Sequence, residues 1–385
     1  MPSRKRPTTR KSPKKAAKPA AKDAARKPAA RGVALEAILA PGGPVTLEQA
    51  RALASPPRSL EVFREESTAA TPPTGPSPQR VGEERRNLDQ ERVAERENRI
   101  TQYRKVMGIL EERGVKGLAE RSVETREVLL ARESTTQLLR ILAEGDSWFE
   151  YPVPLFGGGI ITRLAKLIGI EILNLAKAGD EVRYMLGVKE REEIANQLRQ
   201  GSPAGGTWDV LLFSGGGNDI VDNPMRLWLK DFDPNIPPAA HLKQARFDSA
   251  LALVRAGYED LISLRNELSP STHLIFHAYD FAIPDGRGVC SFGPWLRPSF
   301  DSHNFPRNNP AAQQVVKEML SQFAAMLTNV TSGQPRTTVL KTQGTLDPVT
   351  ASWHNELHPS KGGFNKITAL FHEKLKELFP GQVLS

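Results

Sequence analysis

Cysteine is almost missing from this chain. Among 385 residues there is one, Cys290. No disulfide can form within the chain, and no cysteine cluster can hold zinc. This usage fits a reducing cytoplasm. Long apolar runs are missing too: none approaches the roughly 20 residues that a membrane-spanning helix needs. Acidic residues are missing from the first 31 positions except for Asp23, against twelve Lys and Arg. No apolar stretch follows that basic start, only Ala, Pro and more Lys, so it does not read as a secretory signal. Hydrophobic residues make up only 39% of the chain and mean hydropathy is −0.40. Both values point to a polar, partly disordered portion beside a folded one.

The net charge of +8 is therefore local. Residues 1–31 carry +11, which leaves −3 for the remainder. Any affinity for nucleic acid or another polyanion belongs to this tail, through release of counterions from phosphates. Its Lys/Arg/Pro/Ala composition has nothing to bury and predicts disorder. A purely solubilising tail has the same composition.

Residues 32–82 contain two short helical patterns around Pro-Gly-Gly-Pro, the second with Thr46 as a cap, and then a Pro-rich linker. Residues 83–135 form a charged helical arm. Ile100, Tyr103, Met107 and Leu110 share one face, and Gly114 and Gly117 break the pattern. That stripe either packs on the following domain or, over residues 83–132, makes an oligomer.

From about residue 136 to 385 the texture changes. Five short apolar runs, LLRILAEG, IEILNLAKAG, WDVLLFSGGGND, HLIFHAYD and RTTVLKT, alternate with helical patterns at about 158–168, 187–199, 242–267 and 310–328. A final helical pattern covers about 361–378. This alternation predicts an α/β fold: a three-layer α/β/α domain on a parallel sheet of about five strands, flavodoxin-like in type. In such sheets the functional groups gather beyond the carboxyl ends of the strands. The first run ends in Gly145-Asp146-Ser147, the second in Ala178-Gly179-Asp180, the third in GGGND with Asn218. After the fifth comes ASWHNELHPS, with His354 and His358.

Four blocks in that order resemble the GDSL-type serine hydrolases of the SGNH superfamily. The resemblance covers residues 136–385. It implies an esterase or lipase-type hydrolase without a cofactor, in which Ser147 attacks an ester carbonyl and forms an acyl-enzyme, with His358 as general base. It further implies an oxyanion hole made by the backbone N–H groups of Ser147 and Gly179 and the side-chain amide of Asn218. One position departs from the family pattern, which has Asp-x-x-His in the last block. Here Asn355 stands in place of the Asp. An amide carbonyl can hold the imidazole but cannot offset its charge. Asn355 keeps the spacing of an orienting group, and Glu356 and Asp347 are the nearest acids that could replace it.

Competing motifs fit less well. His354 and His358 stand four apart, but HNELH is not H-E-x-x-H and Pro359 biases His358 away from helix, so no metal site is expected. The triple-glycine stretches lack the lysine of a phosphate loop. The long segment from Tyr279 to Asn309, rich in Pro, Gly and aromatics, reads as a substrate-facing wall or lid, or as a structural insertion. Candidate contacts are Trp148, Tyr279, Asp280, Trp295 and Phe300, with Arg287 and Arg297 available to an anionic group. The acyl substrate itself is not selected by these residues. The alternative to an active esterase is a weak or inactive hydrolase-like domain, anchored to nucleic acid or another polyanion by residues 1–31.

Overall fold

Five short strands carry the fold, four of them buried along most of their length and the last only at its final residue. The computed structural model describes residues 43–55, 78–118, 137–152, 157–289, 293–307 and 309–384, with backbone only for 78–89 and Asn223. The basic tail, the linker at 56–77, the end of the arm at 119–136 and Cys290 lie outside the described residues. In chain order the elements are α1 (Leu47–Ala54), α2 (Pro78–Arg113), β1 (Ile141–Gly145), α3 (Ile160–Ile168), β2 (Ile172–Asn174), α4 (Val182–Met185) and α5 (Val188–Gln200). They continue with β3 (Val210–Ser214), α6 (Gln244–Leu268), β4 (His273–His277), α7 (Arg297–Asp301), α8 (Ala311–Thr331), β5 (Thr337–Leu340) and α9 (Lys361–Leu378). Short 3-10 turns at Asn218–Ile220, Asn223–Trp228, Pro238–His241 and Thr350–Ser352 fill connections that sequence periodicity does not register.

The strands pair in the order β2-β1-β3-β4-β5, all parallel. This is the expected three-layer, flavodoxin-like arrangement. Residues 141–145 and 210–214 are buried throughout because β1 and β3 lie inside the sheet with helices over both faces. Right-handed crossovers put α3 on one face and α5, α6 and α8 on the other. Helix α9 returns to the first face and packs on α3, while α8 and α5 pack on α6. Phe213, Phe276, Tyr258 and Phe323 interlock as edge-to-face or tilted rings. The chain reverses order between β1 and β3, which opens a crevice at their carboxyl ends. Ser147 follows one of these strands and Asn218 the other.

The arm is bound to this body. Thr46 and Gln49 form a reciprocal capping box at the start of α1. Helix α2 ends at Arg113, just ahead of Gly114, and lies on the edge strand β2. Tyr103, Val106, Met107 and Leu110 are fully buried there. The Tyr103 hydroxyl meets Ser202 at 3.2 Å and its ring packs on Trp208. Arg99 donates to the carbonyls of Asn174 and Ala176, which the outer edge of β2 leaves free. Arg51 grips Glu171 with two hydrogen bonds. The apolar stripe of α2 is thus spent on this chain's own core. Among the described residues no helix is long and apolar enough to cross a membrane.

Candidate active site

The GDS triplet is a turn and a candidate nucleophile site at once. Gly145 ends β1 with φ of 158°, and a Cβ there would lie 2.6 Å from the Ser214 carbonyl oxygen, so the two central strands approach closely only with glycine. Asp146 then organises the turn. Its backbone N–H donates to Ser214 O, its carbonyl accepts from Phe149 and Glu150, and its carboxylate accepts from the Trp148 N–H at 3.0 Å. That carboxylate also accepts from the hydroxyls of Ser214 (2.8 Å) and Tyr279 (2.6 Å). Burial pushes its pKa up to about 6, against the pull of these three donors. His277, fully buried, adds its Nε2 to Ser214 at 2.8 Å, and burial lowers its pKa to about 3. The polar side chains of this network are all hydrogen-bonded, and Ser147 follows Asp146 directly in the chain.

The other half comes from residues 353–359. Trp353 and Pro359 bridge, and the His354 N–H donates to His358 O, which closes a tight loop ahead of α9. Inside it the Asn355 side-chain oxygen accepts three hydrogen bonds: from the N–H groups of Leu357 and His358 at 2.9 Å, and from His358 Nδ1 at 3.0 Å. An amide oxygen can only accept, so His358 Nδ1 carries the proton and Nε2 presents a lone pair. That Nε2 lies 2.6 Å from Ser147 Oγ. The Asn355 NH2 donates to the Tyr151 hydroxyl (3.2 Å), which in turn meets His354 Nδ1 (2.9 Å). The Tyr151 ring packs over His358 at 4.5 Å, and Trp295 meets its edge at 5.8 Å. Burial in this setting, with a small contribution from His354, lowers the His358 pKa to about 3. Among the described residues no carboxylate bonds to its ring.

Both acids proposed to replace Asn355 are engaged elsewhere. Glu356 is fully buried and turned away. Its carboxylate accepts the backbone N–H groups of Gly286, Trp295, Leu296 and Arg297. Asp347 sits on the surface and pairs with Lys366.

The oxyanion candidates cluster less tightly. Asn218 and Ser147 line one cleft, while Gly179, which follows β2, does not line it. The Asn218 amide donates one hydrogen to Asp180 O at 2.8 Å, which ties the second block to the third and leaves its other hydrogen available. Among the described residues neither the Ser147 nor the Gly179 N–H donates a hydrogen bond. Gly179 has φ of 87°, and a Cβ there would meet nothing within 4 Å. A left-handed backbone of this kind favours glycine. Asp219, next to Asn218, caps α4 through the Val182 N–H.

Part of the long segment after β4 lines the cleft. Tyr279, Asp280, Ala282 and Leu296 line the cleft together with Trp148. Two candidates within it hold structure instead. Asp280 accepts from the N–H groups of Phe281, Gly344 and Leu346. Arg297 is buried, its guanidinium on Asp301 and the Phe305 carbonyl, so the expected anion contact does not arise from it. Arg287 clamps the histidine loop through Asp285 and the carbonyls of Trp353 and His354. Phe300 is buried in the core. Sequence reasoning missed Tyr151, Ser214 and His277, whose roles depend on contacts across 60 or more positions. Tyr151 stands four residues after Ser147 in an aromatic-rich turn, which is the one local hint. Among the described residues no group of three or more His, Cys, Asp or Glu side chains is arranged to hold a metal.

No family model matches the chain, and no curated protein matches it. Solved structures do. An extracellular lipase from Streptomyces rimosus is 14% identical, covers 61% of this chain and 99% of its own, and superposes with a TM-score of 0.39. A family 3 carbohydrate esterase from Talaromyces cellulolyticus is 12% identical (63% and 98% covered, TM-score 0.38). The family 3 carbohydrate esterase of Clostridium thermocellum is 14% identical (63% and 97%, TM-score 0.37).

Proposed function

We propose that this chain is a serine esterase of the SGNH type. The observation that carries the reading is the 2.6 Å contact between Ser147 Oγ and His358 Nε2, with His358 Nδ1 held by an acceptor-only amide oxygen. This arrangement gives the imidazole the tautomer a general base needs. In the proposed reaction His358 Nε2 takes the Ser147 proton as Oγ attacks the ester carbonyl carbon. The carbonyl π pair moves onto oxygen, and the resulting oxyanion is stabilised by the N–H groups of Ser147 and Gly179 and the free hydrogen of Asn218. Collapse expels the alcohol, which leaves with the proton from His358. Water, deprotonated by the same nitrogen, then releases the acid from the acyl-enzyme and restores Ser147.

Asn355 is proposed as the orienter. It fixes the ring but carries no charge, so the imidazolium formed in each step is stabilised less than by an aspartate. The reading therefore favours a modest catalyst. Residues 1–31 are proposed as a polyanion tether, supported by their charge of +11. Deleting them is expected to abolish DNA binding and leave ester turnover intact. The enzymatic reading is tested with a panel of p-nitrophenyl esters and the Ser147→Ala protein. Turnover by the native chain, lost in the variant, is the expected result. Equal rates in both would remove Ser147 from the reaction.

A further inference from the structure

A cleft lies beside Ser147. Apolar side chains dominate its lining: Ile220, Val221, Leu296, Val316, Met319 and Leu320. Val316, Met319 and Leu320 come from one face of α8 at i, i+3 and i+4, so a single helix supplies one wall. Among the described residues no Lys, Arg or His lines this space. The two carboxylates that do, Asp146 and Asp280, are already saturated by hydroxyl and backbone donors. The cleft thus has almost no hydrogen-bonding capacity left for a polar ligand beyond Ser147 and Asn218, and it disfavours a second negative charge.

Resting on the esterase reading above, we propose that this wall is an acyl-chain pocket and that the substrates are esters of neutral, unbranched aliphatic acids longer than acetate, with α8 setting the chain length. Each methylene moved from water onto Ile, Val, Leu and Met side chains favours the transition state. An acetyl group has a single methyl to place against these side chains. A chain ending in a carboxylate meets Asp146 and Asp280 with no cation to pair with.

The test is kcat/KM of the full chain on p-nitrophenyl acetate, butyrate, hexanoate and hemisuccinate, for the native protein and for Met319→Trp, with Ser147→Ala as control. Hexanoate is expected to exceed acetate by at least about tenfold, and hemisuccinate to fall well below butyrate. Met319→Trp is expected to lower the hexanoate-to-acetate ratio by about tenfold by taking up space along the α8 wall. Should that variant not fold, the native chain-length series decides alone. Ser147-dependent turnover with acetate equal to or above hexanoate overturns the acyl pocket and spares the esterase reading. Absence of Ser147-dependent turnover on every ester overturns both.

Discussion

Asn355 carries much of the proposed chemistry in one side chain. Its oxygen fixes the His358 tautomer and its NH2 fixes Tyr151. Replacing it with aspartate keeps the three accepted hydrogen bonds and adds a charge next to the imidazole, which favours imidazolium. Asn355→Asp is expected to raise turnover about tenfold or more and to move the acid limb of the kcat/KM profile upward from the low pH set by burial of His358. A pH–rate profile checks both, and an unchanged profile would mean that Asn355 does not govern the base. Tyr279→Phe removes a donor from the buried Asp146 carboxylate. The expected cost is about 1–3 kcal/mol of stability, read by urea denaturation. Ser147, Asn218 and His358 were legible in the sequence because each follows a recognisable run and the chemistry restricts residue type. Tyr151, Ser214 and His277 were not, because a hydroxyl or a ring in a turn gives no signal until the sheet brings its partners together. The same limit applied to Glu356, an acid beside Asn355 that turns out to hold the wall loop.

At the scale of elements, the five strands and the long helices were readable from periodicity, with boundaries shifted by a few residues. β2 is the clearest contraction: a ten-residue apolar run yields three paired residues, Ile172–Asn174, because the edge position and the turn at Gly179 end the pairing early. The short helices α4 and α7 were not readable, since four or five residues carry too little pattern. The arm raised a question that periodicity leaves open, since a stripe on one face fits either an oligomer or a docked helix. Burial of Tyr103 against Ser202 and Trp208 assigns it to this chain's core. Tyr103→Ala is expected to cost about 3–5 kcal/mol in urea denaturation, a loss comparable with that of a core aromatic. A loss under about 1 kcal/mol would mean that α2 is an appendage.

For the molecule as a whole, buried acids near the strand ends make stability depend on pH. Glu144 is fully buried, one of its oxygens has no partner among the described residues, and burial pushes its pKa up to about 7. Asp146 is raised to about 6. With folded values above unfolded ones, the native state holds more protons between about pH 4 and 7. Stability therefore falls as pH rises through that window, and the loss is complete above it. Glu144→Gln removes the larger share. Its melting temperature relative to the native protein is expected to be more favourable at pH 8 than at pH 5. An equal difference at both pH values would show that Glu144 titrates alike in the folded and unfolded chain.

The central claim is that Ser147 is activated by His358. It is tested most directly by reacting the intact protein with a fluorophosphonate and mapping the adduct by mass spectrometry, in parallel with His358→Ala. The account predicts one adduct, on Ser147, whose formation slows by at least about a hundredfold when His358 is removed. An adduct on another serine, or labelling of Ser147 at the same rate without His358, would contradict it.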